Sequence, residues 1–352
     1  MNQALRVLCV SVLSVRPRLP QFVVRPRLLL AVSSTPMRLI FMGTPAIAVP
    51  ALEALVGAGH DVAAVFTQPD RPVGRKQTLH PPEVKVAALR LGIPVHQPSK
   101  VRTDETRDVV ASFGPDAAVV FAYGRILPQS LLDVPRRGCI NVHTSLLPKY
   151  RGAAPIQWAI AEGESVTGVT TRMMDAGLDT GPMLLRRSTP IGSDETAVDV
   201  SARLALIGAE LIVETLARLV DIVPENQDET AATHAPILTR DHGRIDWTMT
   251  ATEIANRCRG FQPWPGTWTT LDGARLHIWS CEALPSDDVA TSAPTGTVIE
   301  ALRDRLVFSC GRGTRLRAIE LQVEGKRRMS VRDFQNGVRI EFGHRLGAAV
   351  PE

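Results

Sequence analysis

Three polar residues of this chain could together move an acyl group onto an amine. Asn141 and His143 lie two residues apart in the segment RRGCINVH, and Asp179 follows in MDAGLDTGP. An amide can donate a hydrogen bond to a developing oxyanion, and an imidazole can stabilise charge and pass a proton. A carboxylate can hold the imidazole in its useful orientation and charge state. The three residues are therefore candidate catalytic residues for acyl transfer.

The segment RRGCINVH predicts a short apolar strand that is entered from a glycine turn. Residues two apart in a strand point to the same side, so Asn141 and His143 are expected to share one face. Polar side chains at the carboxyl end of a strand lie where open α/β sheets bind ligands. An isolated Asn-x-His pair is also compatible with an ordinary strand-end histidine, so the surrounding sequence has to decide.

The flanking sequence predicts alternating strands and helices over residues 37–223. Strands are predicted at MRLIFMG, HDVAAVFTQ, GIPVHQ, PDAAVVFAYG and CINVH, with helices between them and from Pro155 onward. This alternation is typical of a doubly wound, mostly parallel sheet. The first turn is GTPAIA and not GxGxxG, and no acidic residue ends the second strand. NAD binding is therefore disfavoured, and Thr44 is predicted to be only a helix cap.

Three further stretches belong to the same domain. SVTGVTTRMMDAGLDTGPMLLRR predicts two strands joined by a glycine-rich loop that carries Asp175 and Asp179. SDETAVDVSARLALIGAELIVETLARL predicts a long amphipathic helix capped by Ser193 or Asp194. Residues 68–85 are polar, basic and rich in proline, which predicts a long unstructured loop of a kind that is often functional.

The rest of the chain predicts a second domain. Residues 224–244 are polar and broken by proline, as is typical of a linker. One helix and five short strand candidates follow over residues 245–346 and favour a small antiparallel β-barrel. Residues 301–345 contain eleven Lys and Arg against five Asp and Glu. The predicted phosphate-facing group in this stretch consists of Arg312, Arg315, Arg317, Lys326, Arg327 and Arg328.

Composition limits the remaining possibilities. A chain of 352 residues, 44% hydrophobic and 22% charged, can form two globular domains with sizeable cores. The five cysteines are scattered without CxxC or zinc-ligand spacing, so free thiols and a reducing, cytoplasmic compartment are expected. Residues 1–36 carry five arginines and no acid. We interpret them as a disordered leader before a start at Met37, with an organellar transit peptide as the alternative.

INVHTSLLPKYRGAAPIQWAI together with GLDTG resembles the catalytic segment of the folate-dependent formyltransferases. MRLIFMGTPAIAVPALEAL, FTQPDRPVGR and CRGFQPWPGTW are similar to the branch of that family that acts on methionyl-tRNA. The resemblance covers about residues 37–346. It implies a Rossmann-like formyltransferase domain followed by an OB-like tRNA-binding domain. The implied reaction is formyl transfer from 10-formyltetrahydrofolate to the methionine of initiator methionyl-tRNA, which serves translation initiation.

The resemblance also implies roles for individual residues. Asn141 and a protonated His143 would stabilise the oxyanion, and Asp179 would support the charge of His143. No metal is implied, and we expect a monomer that does not bind a membrane. The implied folate-binding residues are Ser145, Leu146, Leu147, Pro148, Tyr123 and Gly124. The implied tRNA-binding residues are Arg71, Arg75, Lys76, Arg315, Arg317, Lys326 and Arg327.

Other functions remain open at this point. The same three catalytic residues could formylate a small amine such as a nucleotide or an amino sugar, although the basic loop and the second domain argue against this. A hydrolase acting on 10-formyltetrahydrofolate is a further alternative. A dehydrogenase acting on the same compound would need an additional domain. The chain could also bind tRNA through a domain whose catalytic site is vestigial.

Overall fold

The computed structural model describes residues 35–73, 77–285 and 292–347, so the predicted leader lies almost entirely outside the described residues. The first domain alternates strands with helices. In chain order it contains β1 (Arg38–Gly43), a 3-10 helix (Ala46–Ala48), α1 (Val49–Gly57), β2 (Asp61–Phe66), β3 (Arg71–Val73), β4 (Thr78–His80), α2 (Glu83–Arg90), β5 (Val95–His96), α3 (Asp104–Ser112), β6 (Ala117–Phe121), α4 (Gln129–Leu132), β7 (Cys139–His143), β8 (Arg151–Gly152), α5 (Pro155–Ala161), β9 (Val166–Met173), β10 (Met183–Pro190) and α6 (Ala197–Ala217).

Seven of these strands form one sheet in the order β10-β9-β7-β6-β1-β2-β5. The strands β1, β2, β5, β6 and β7 run parallel, whereas β9 is antiparallel to β7 and β10 is antiparallel to β9. All residues of β6 and β7 are buried, as is usual for strands of a parallel sheet that is covered on both faces. The predicted doubly wound, mostly parallel sheet is confirmed.

Two predictions near the amino-terminal strands are wrong. Residues 68–85 are not an unstructured loop, because β3 and β4 pair as a short antiparallel hairpin and α2 begins within this stretch. Thr44 does not cap a helix. Its hydroxyl donates to the carbonyl oxygen of Tyr123 at 3.0 Å and thereby ties the first turn of the sheet to the turn after β6.

The long helix α6 begins later than expected. Its cap is Thr196, whose side chain accepts from the backbone N–H of Asp199, and the Asp199 carboxylate accepts in return from the N–H of Thr196. The predicted caps Ser193 and Asp194 are therefore wrong. The segment SDET offers three possible caps in four residues, and only Thr196 has an acidic residue three positions later that can complete a reciprocal capping box.

The second domain is an antiparallel sheet that packs with two helices around its own apolar core. The predicted antiparallel domain is confirmed. Strands β12 (Thr267–Leu271), β13 (Ala274–Ala283) and β16 (Arg315–Val323) alternate buried with partly exposed residues because one face covers the core, which includes Phe308, Leu316 and Leu321. The elements after α6 are a 3-10 helix (Glu229–Ala231), β11 (His234–Ala235), a 3-10 helix (Asp241–Gly243), α7 (Ala251–Gly260), β12 (Thr267–Leu271), β13 (Ala274–Ala283), β14 (Val298–Leu302), β15 (Arg305–Ser309), a 3-10 helix (Gly311–Gly313), β16 (Arg315–Val323), β17 (Met329–Ser330) and α8 (Val331–Gly337). The sheet order is β12-β13-β16-β15-β14, with β17 added to β16.

Helix α7 joins the two domains by packing against α5. In this contact, a Cβ atom on Gly260 would lie 2.7 Å from the carbonyl oxygen of Gln157 and 2.9 Å from the backbone nitrogen of Ala161. A side chain would not fit there, so glycine permits the contact. Phe261 is buried next to it and meets Trp158 edge-on, with 5.4 Å between the ring centroids. None of the helices within the described ranges is long and apolar enough to cross a bilayer.

Candidate active site

The strand β7 presents Asn141 and His143 on one side of the sheet. Antiparallel pairing with β9 places Asn141 opposite Arg172 and His143 opposite Thr170. Asp179 reaches the same place from the loop between β9 and β10, where its backbone adopts a positive φ of 59°. The Oδ2 atom of Asp179 lies 3.6 Å from Nδ1 of His143. The structure therefore brings together the three residues that the sequence analysis proposed as catalytic.

His143 is held in one tautomer. Its Nε2 lies 2.9 Å from the carbonyl oxygen of Tyr150. A carbonyl can only accept a hydrogen bond, so Nε2 carries the hydrogen and, in the neutral ring, Nδ1 carries the lone pair. Burial lowers the pKa of His143, while Asp179 and the Tyr150 carbonyl act to raise it and Arg172 acts to lower it further. The net decrease favours a neutral ring at pH 7 before the reaction begins.

Asp179 is fully engaged by its neighbours. Its Oδ1 accepts from Nη2 of Arg172 at 2.5 Å, and its Oδ2 accepts from the backbone N–H of Gly152 at 2.8 Å. Burial acts to raise the pKa of Asp179, but His143, Arg172 and the Gly152 N–H outweigh it and leave this pKa below its ordinary value. The carboxylate is therefore ionised at neutral pH.

The loop that carries Asp179 is also fixed from the interdomain segment. The side-chain amide of Gln227 donates to the carbonyl oxygens of Asp179 at 2.7 Å and of Gly181 at 2.8 Å. Glu229 forms a bidentate ion pair with Arg151, the residue before Gly152. The predicted linker 224–244 thus contributes side chains that position the candidate site as well as joining the two domains.

Asn141 is the member of the group with an unused side chain. Only 9% of the residue is exposed, and its amide makes no hydrogen bond to any residue in the described part of the chain. A side-chain amide held by a buried strand and left without a partner is well placed to donate to an incoming oxygen atom. The other carboxylate of the loop, Asp175, is 43% exposed and accepts from the Thr180 hydroxyl.

The predicted folate-binding loop is held by Thr170. The Thr170 hydroxyl donates to the carbonyl oxygen of Ser145 at 2.7 Å and accepts from the N–H of Leu147 at 3.1 Å. Ser145 and Leu147 are buried, whereas Leu146 and Pro148 are partly exposed. Within the loop, an apolar ligand surface is thus available on Leu146 and Pro148, while two backbone polar groups are already paired.

The other predicted folate-binding residues form the turn after β6. The Tyr123 ring is buried in the core, and burial raises the pKa of its phenol to about 12. Its carbonyl oxygen and that of Gly124 both accept from the side-chain amide of Gln68, at 3.0 and 3.1 Å. The Gln68 side-chain oxygen accepts in turn from Arg71. Gln68 therefore links the predicted folate turn to the start of the basic hairpin.

The predicted tRNA-binding residues occupy separate places. Arg75 and Lys76 lie outside the described residues, and Arg71 bonds to Gln68. In the second domain, Arg315 and Arg317 lie at the start of β16, where Arg317 pairs with Glu282 at 3.0 Å. Lys326 and Arg327 lie exposed beyond the other end of that strand. The predicted basic group is thus two groups at opposite ends of β16.

Sequence reasoning missed four positioning residues of this site, namely Arg172, Gly152, Thr170 and Gln227. An arginine within an otherwise buried strand was a usable signal, because charged residues are rarely buried unless they are paired. The other three act through a backbone N–H, a hydroxyl and an amide from distant segments. Within the described ranges, no group of three or more His, Cys, Asp and Glu residues is arranged to hold a metal ion.

Two family models match this chain. The family model described as formyl transferase matches residues 37–216, and the formyl transferase C-terminal domain matches residues 237–339. The chain is 52% identical over 314 residues to a methionyl-tRNA formyltransferase of Solibacter usitatus, covering 88% of this chain and 99% of the relative. It is 51% identical over 314 residues to a methionyl-tRNA formyltransferase of Geobacter metallireducens, with the same two coverages.

A solved structure shares the fold at much lower sequence identity. It is WlaRD, a sugar 3N-formyl transferase crystallised in the presence of dTDP and 5-N-formyl-THF. The TM-score is 0.59 at 17% identity, and the match covers 83% of this chain and 100% of that chain. At this identity the likeness shows the fold alone.

Proposed function

The chain belongs to the formyl transferase family, and from this premise we infer that it transfers a formyl group from 10-formyltetrahydrofolate to the methionine amine of initiator methionyl-tRNA. The product is formylmethionyl-tRNA, which serves translation initiation. The observation that carries this proposal is the buried group of Asn141, His143 and Asp179, in which an amide that has no partner among the described residues lies beside a neutral imidazole and an ionised carboxylate.

The site residues supply each requirement of the transfer. The uncharged methionine amine attacks the formyl carbon, a C–N bond forms, and the carbonyl electron pair moves onto oxygen. The Asn141 amide donates to that oxyanion. The proton on the attacking nitrogen moves to Nδ1 of His143, directly or through one water, and the resulting imidazolium is paired with Asp179. The same proton then goes to N10 of the folate as the bond between N10 and the formyl carbon breaks.

The surroundings of the trio are compatible with a folate donor. Leu146 and Pro148 leave apolar surface exposed in the loop that follows His143, and Gly124 lies in the turn after β6, the strand that pairs with β7. Apolar walls with a few polar backbone groups suit a flat heterocyclic ligand. WlaRD, which shares the fold, was crystallised in the presence of a formyl-folate, and this supports the same class of donor here.

The acceptor is assigned to tRNA because of the named relatives and because of basic residues outside the catalytic group. Both relatives named above are methionyl-tRNA formyltransferases that match almost over their full length. The hairpin of β3 and β4 begins at Arg71, which donates to the Gln68 side chain. Gln68 in turn donates to the predicted folate turn, so the hairpin begins close to that turn. The second domain adds exposed cations at Lys326 and Arg327. We propose a monomer that acts in the cytoplasm.

Transfer of labelled formyl from 10-formyltetrahydrofolate tests this proposal, with initiator methionyl-tRNA, elongator methionyl-tRNA and free methionine as parallel acceptors. We expect product on the initiator alone. His143→Ala should abolish transfer but retain tRNA binding, whereas the matched variant Asp175→Asn, on the same loop as Asp179, should remain within a few fold of wild type. Formyl release without labelled tRNA would move the assignment to a small amine or to water as the acceptor.

A further inference from the structure

Arg172 is a buried charge inside the candidate site that the reaction described above does not use. Only 2% of its side chain is exposed. It lies directly opposite Asn141 across the pairing of β9 with β7. Its Nη2 donates to Oδ1 of Asp179 at 2.5 Å, and its Nη1 donates to the carbonyl oxygen of Met173 at 3.0 Å. Both Nη atoms of the guanidinium are therefore held by hydrogen bonds next to the reacting groups.

Building on the proposed function, we propose that Arg172 is a positioning residue that acts as the permanent counter-charge of Asp179 and so keeps His143 uncharged until the attacking amine delivers its proton.

The two carboxylate oxygens of Asp179 face different partners. Oδ1 is occupied by Arg172, while Oδ2 faces Nδ1 of His143 and is held in place by the Gly152 N–H. A buried carboxylate that lacked the arginine would have to draw its counter-charge from His143, because an isolated buried ion is strongly unfavourable. A histidine that is already protonated has no free Nδ1 with which to accept the amine proton. Arginine suits this task because it stays protonated throughout the accessible pH range.

The charged groups around His143 are few. Asp179 faces it from the loop, and Arg172 faces it from β9. Asp175 lies 3.9 Å from Nη1 of Arg172, and Arg151 is paired with Glu229. Arg172, Asp179 and a neutral His143 together carry no net charge, which is the least costly arrangement in a buried site.

A purely structural ion pair would explain the burial less well. The Nε atom of Arg172 is buried without an acceptor among the described residues, which is a cost that a structural arginine usually avoids. The position opposite Asn141 and the bond to Asp179 also place the charge beside the candidate catalytic side chains. A structural role and a counter-charge role make different predictions for pH dependence.

The test compares wild type with Arg172→Met and Arg172→Lys. Removal of the charge should lower kcat/KM most at low pH, because Asp179 then keeps His143 protonated. We expect kcat/KM of wild type to exceed that of Arg172→Met by more than about tenfold below neutral pH, and this ratio to decrease as the pH rises. A positioned acid–base group contributes a rate effect of at least this size. The substrate amine titrates identically in both reactions and cancels in this ratio. Arg172→Lys, which retains the charge, should restore most of the activity and the wild-type pH profile.

A second readout does not depend on turnover. NMR titration of the His143 ring in the free protein should show protonation at higher pH in Arg172→Met than in wild type, and near the wild-type pH in Arg172→Lys. The matched control is Arg187→Met, which removes an arginine that bridges Glu210 and Glu214 from the neighbouring strand β10. This control should leave the titration of His143 unchanged.

The outcomes separate this inference from the proposed function. If wild type does not formylate methionyl-tRNA, the proposed function fails, while the NMR titration still decides the role of Arg172. A ratio that is constant across pH, together with an unchanged His143 titration in Arg172→Met, would reduce Arg172 to a structural residue. If Arg172→Met does not fold, a shifted His143 titration in Arg172→Lys would overturn the proposal, and a wild-type titration would support it.

Discussion

The candidate active site and the basic end of the second sheet hold their charges in opposite ways. In the active site, Asp179 is buried and accepts from Arg172 and Gly152, and each partner is fixed by its own strand. At the turn between β16 and β17, Lys326 and Arg327 are exposed, and neither forms an ion pair with the residues that the structure describes. The charges of the first region are already paired with one another, whereas those of the second face solvent without an ion-pair partner among the described residues.

This contrast separates chemistry from attraction. Charges in a buried site interact strongly and are little affected by salt, so small displacements alter the reaction. Exposed cations interact weakly with any single partner but together draw a polyanion, and this attraction is screened by salt. Substitutions in the two regions should therefore differ in which kinetic constant changes and in whether added salt matters.

The largest effect is expected for Asn141→Ala. The side-chain amide makes no hydrogen bond to the described residues, so its loss should scarcely change the free energy of unfolding. In contrast, kcat should fall about 10²–10³-fold, because one donor to the oxyanion is removed. Single-turnover transfer and urea unfolding would be measured together, each at low and high salt. A loss of stability that matches the loss of rate would contradict a catalytic role for this amide.

Gly260→Ala examines the contact between the two domains that carry these regions. The added methyl would meet backbone atoms of Gln157 and Ala161 at 2.7 and 2.9 Å, so α7 has to shift away from α5. We expect about 1–3 kcal/mol of destabilisation, typical of overpacking. Gly57→Ala is the matched control, since Gly57 also ends a helix but has no atom near the added methyl. If both variants unfold at the same urea concentration, the close approach of the two helices does not determine stability.

A smaller effect concerns pH and stability. The pKa of His143 is lowered in the folded state by burial, so the unfolded chain binds more protons below the ordinary value of 6.5. The free energy of unfolding should thus decrease as pH falls from about 7.5 to about 5, by at most about 1.4 kcal/mol per pH unit for one histidine.

His143→Asn should flatten this slope without removing it, because burial also lowers the pKa of His60 and of His96. Urea unfolding at several pH values measures the slope, and an unchanged slope in His143→Asn would show that His143 titrates alike in both states.

The same contrast explains what could be predicted from the sequence. The strand with Asn141 and His143 and the loop with Asp179 are local patterns, so their secondary structure could be inferred from a few neighbouring residues. Arg172 meets Asp179 only because β9 pairs with β7, and Gln227 meets it only because the interdomain segment folds back. Such contacts depend on register and docking, which composition and periodicity do not encode. The prediction of one basic group failed for a related reason, since a count of charges cannot tell which end of a strand they occupy.

The smallest effect at physiological salt should come from Lys326→Ala combined with Arg327→Ala. Both side chains are exposed, so each contributes mainly screened attraction to the tRNA backbone. We expect kcat to stay unchanged and the dissociation constant for methionyl-tRNA to rise. The slope of log affinity against log salt should become shallower by about 1.5–2, which corresponds to two lost phosphate contacts.

The charge-matched control combines Lys100→Ala with Arg102→Ala on the exposed surface of the first domain. If that control changes the slope equally, overall charge governs binding and the turn between β16 and β17 has no special part. If only the first pair changes it, the second domain supplies attraction at a defined place while the buried site supplies the chemistry.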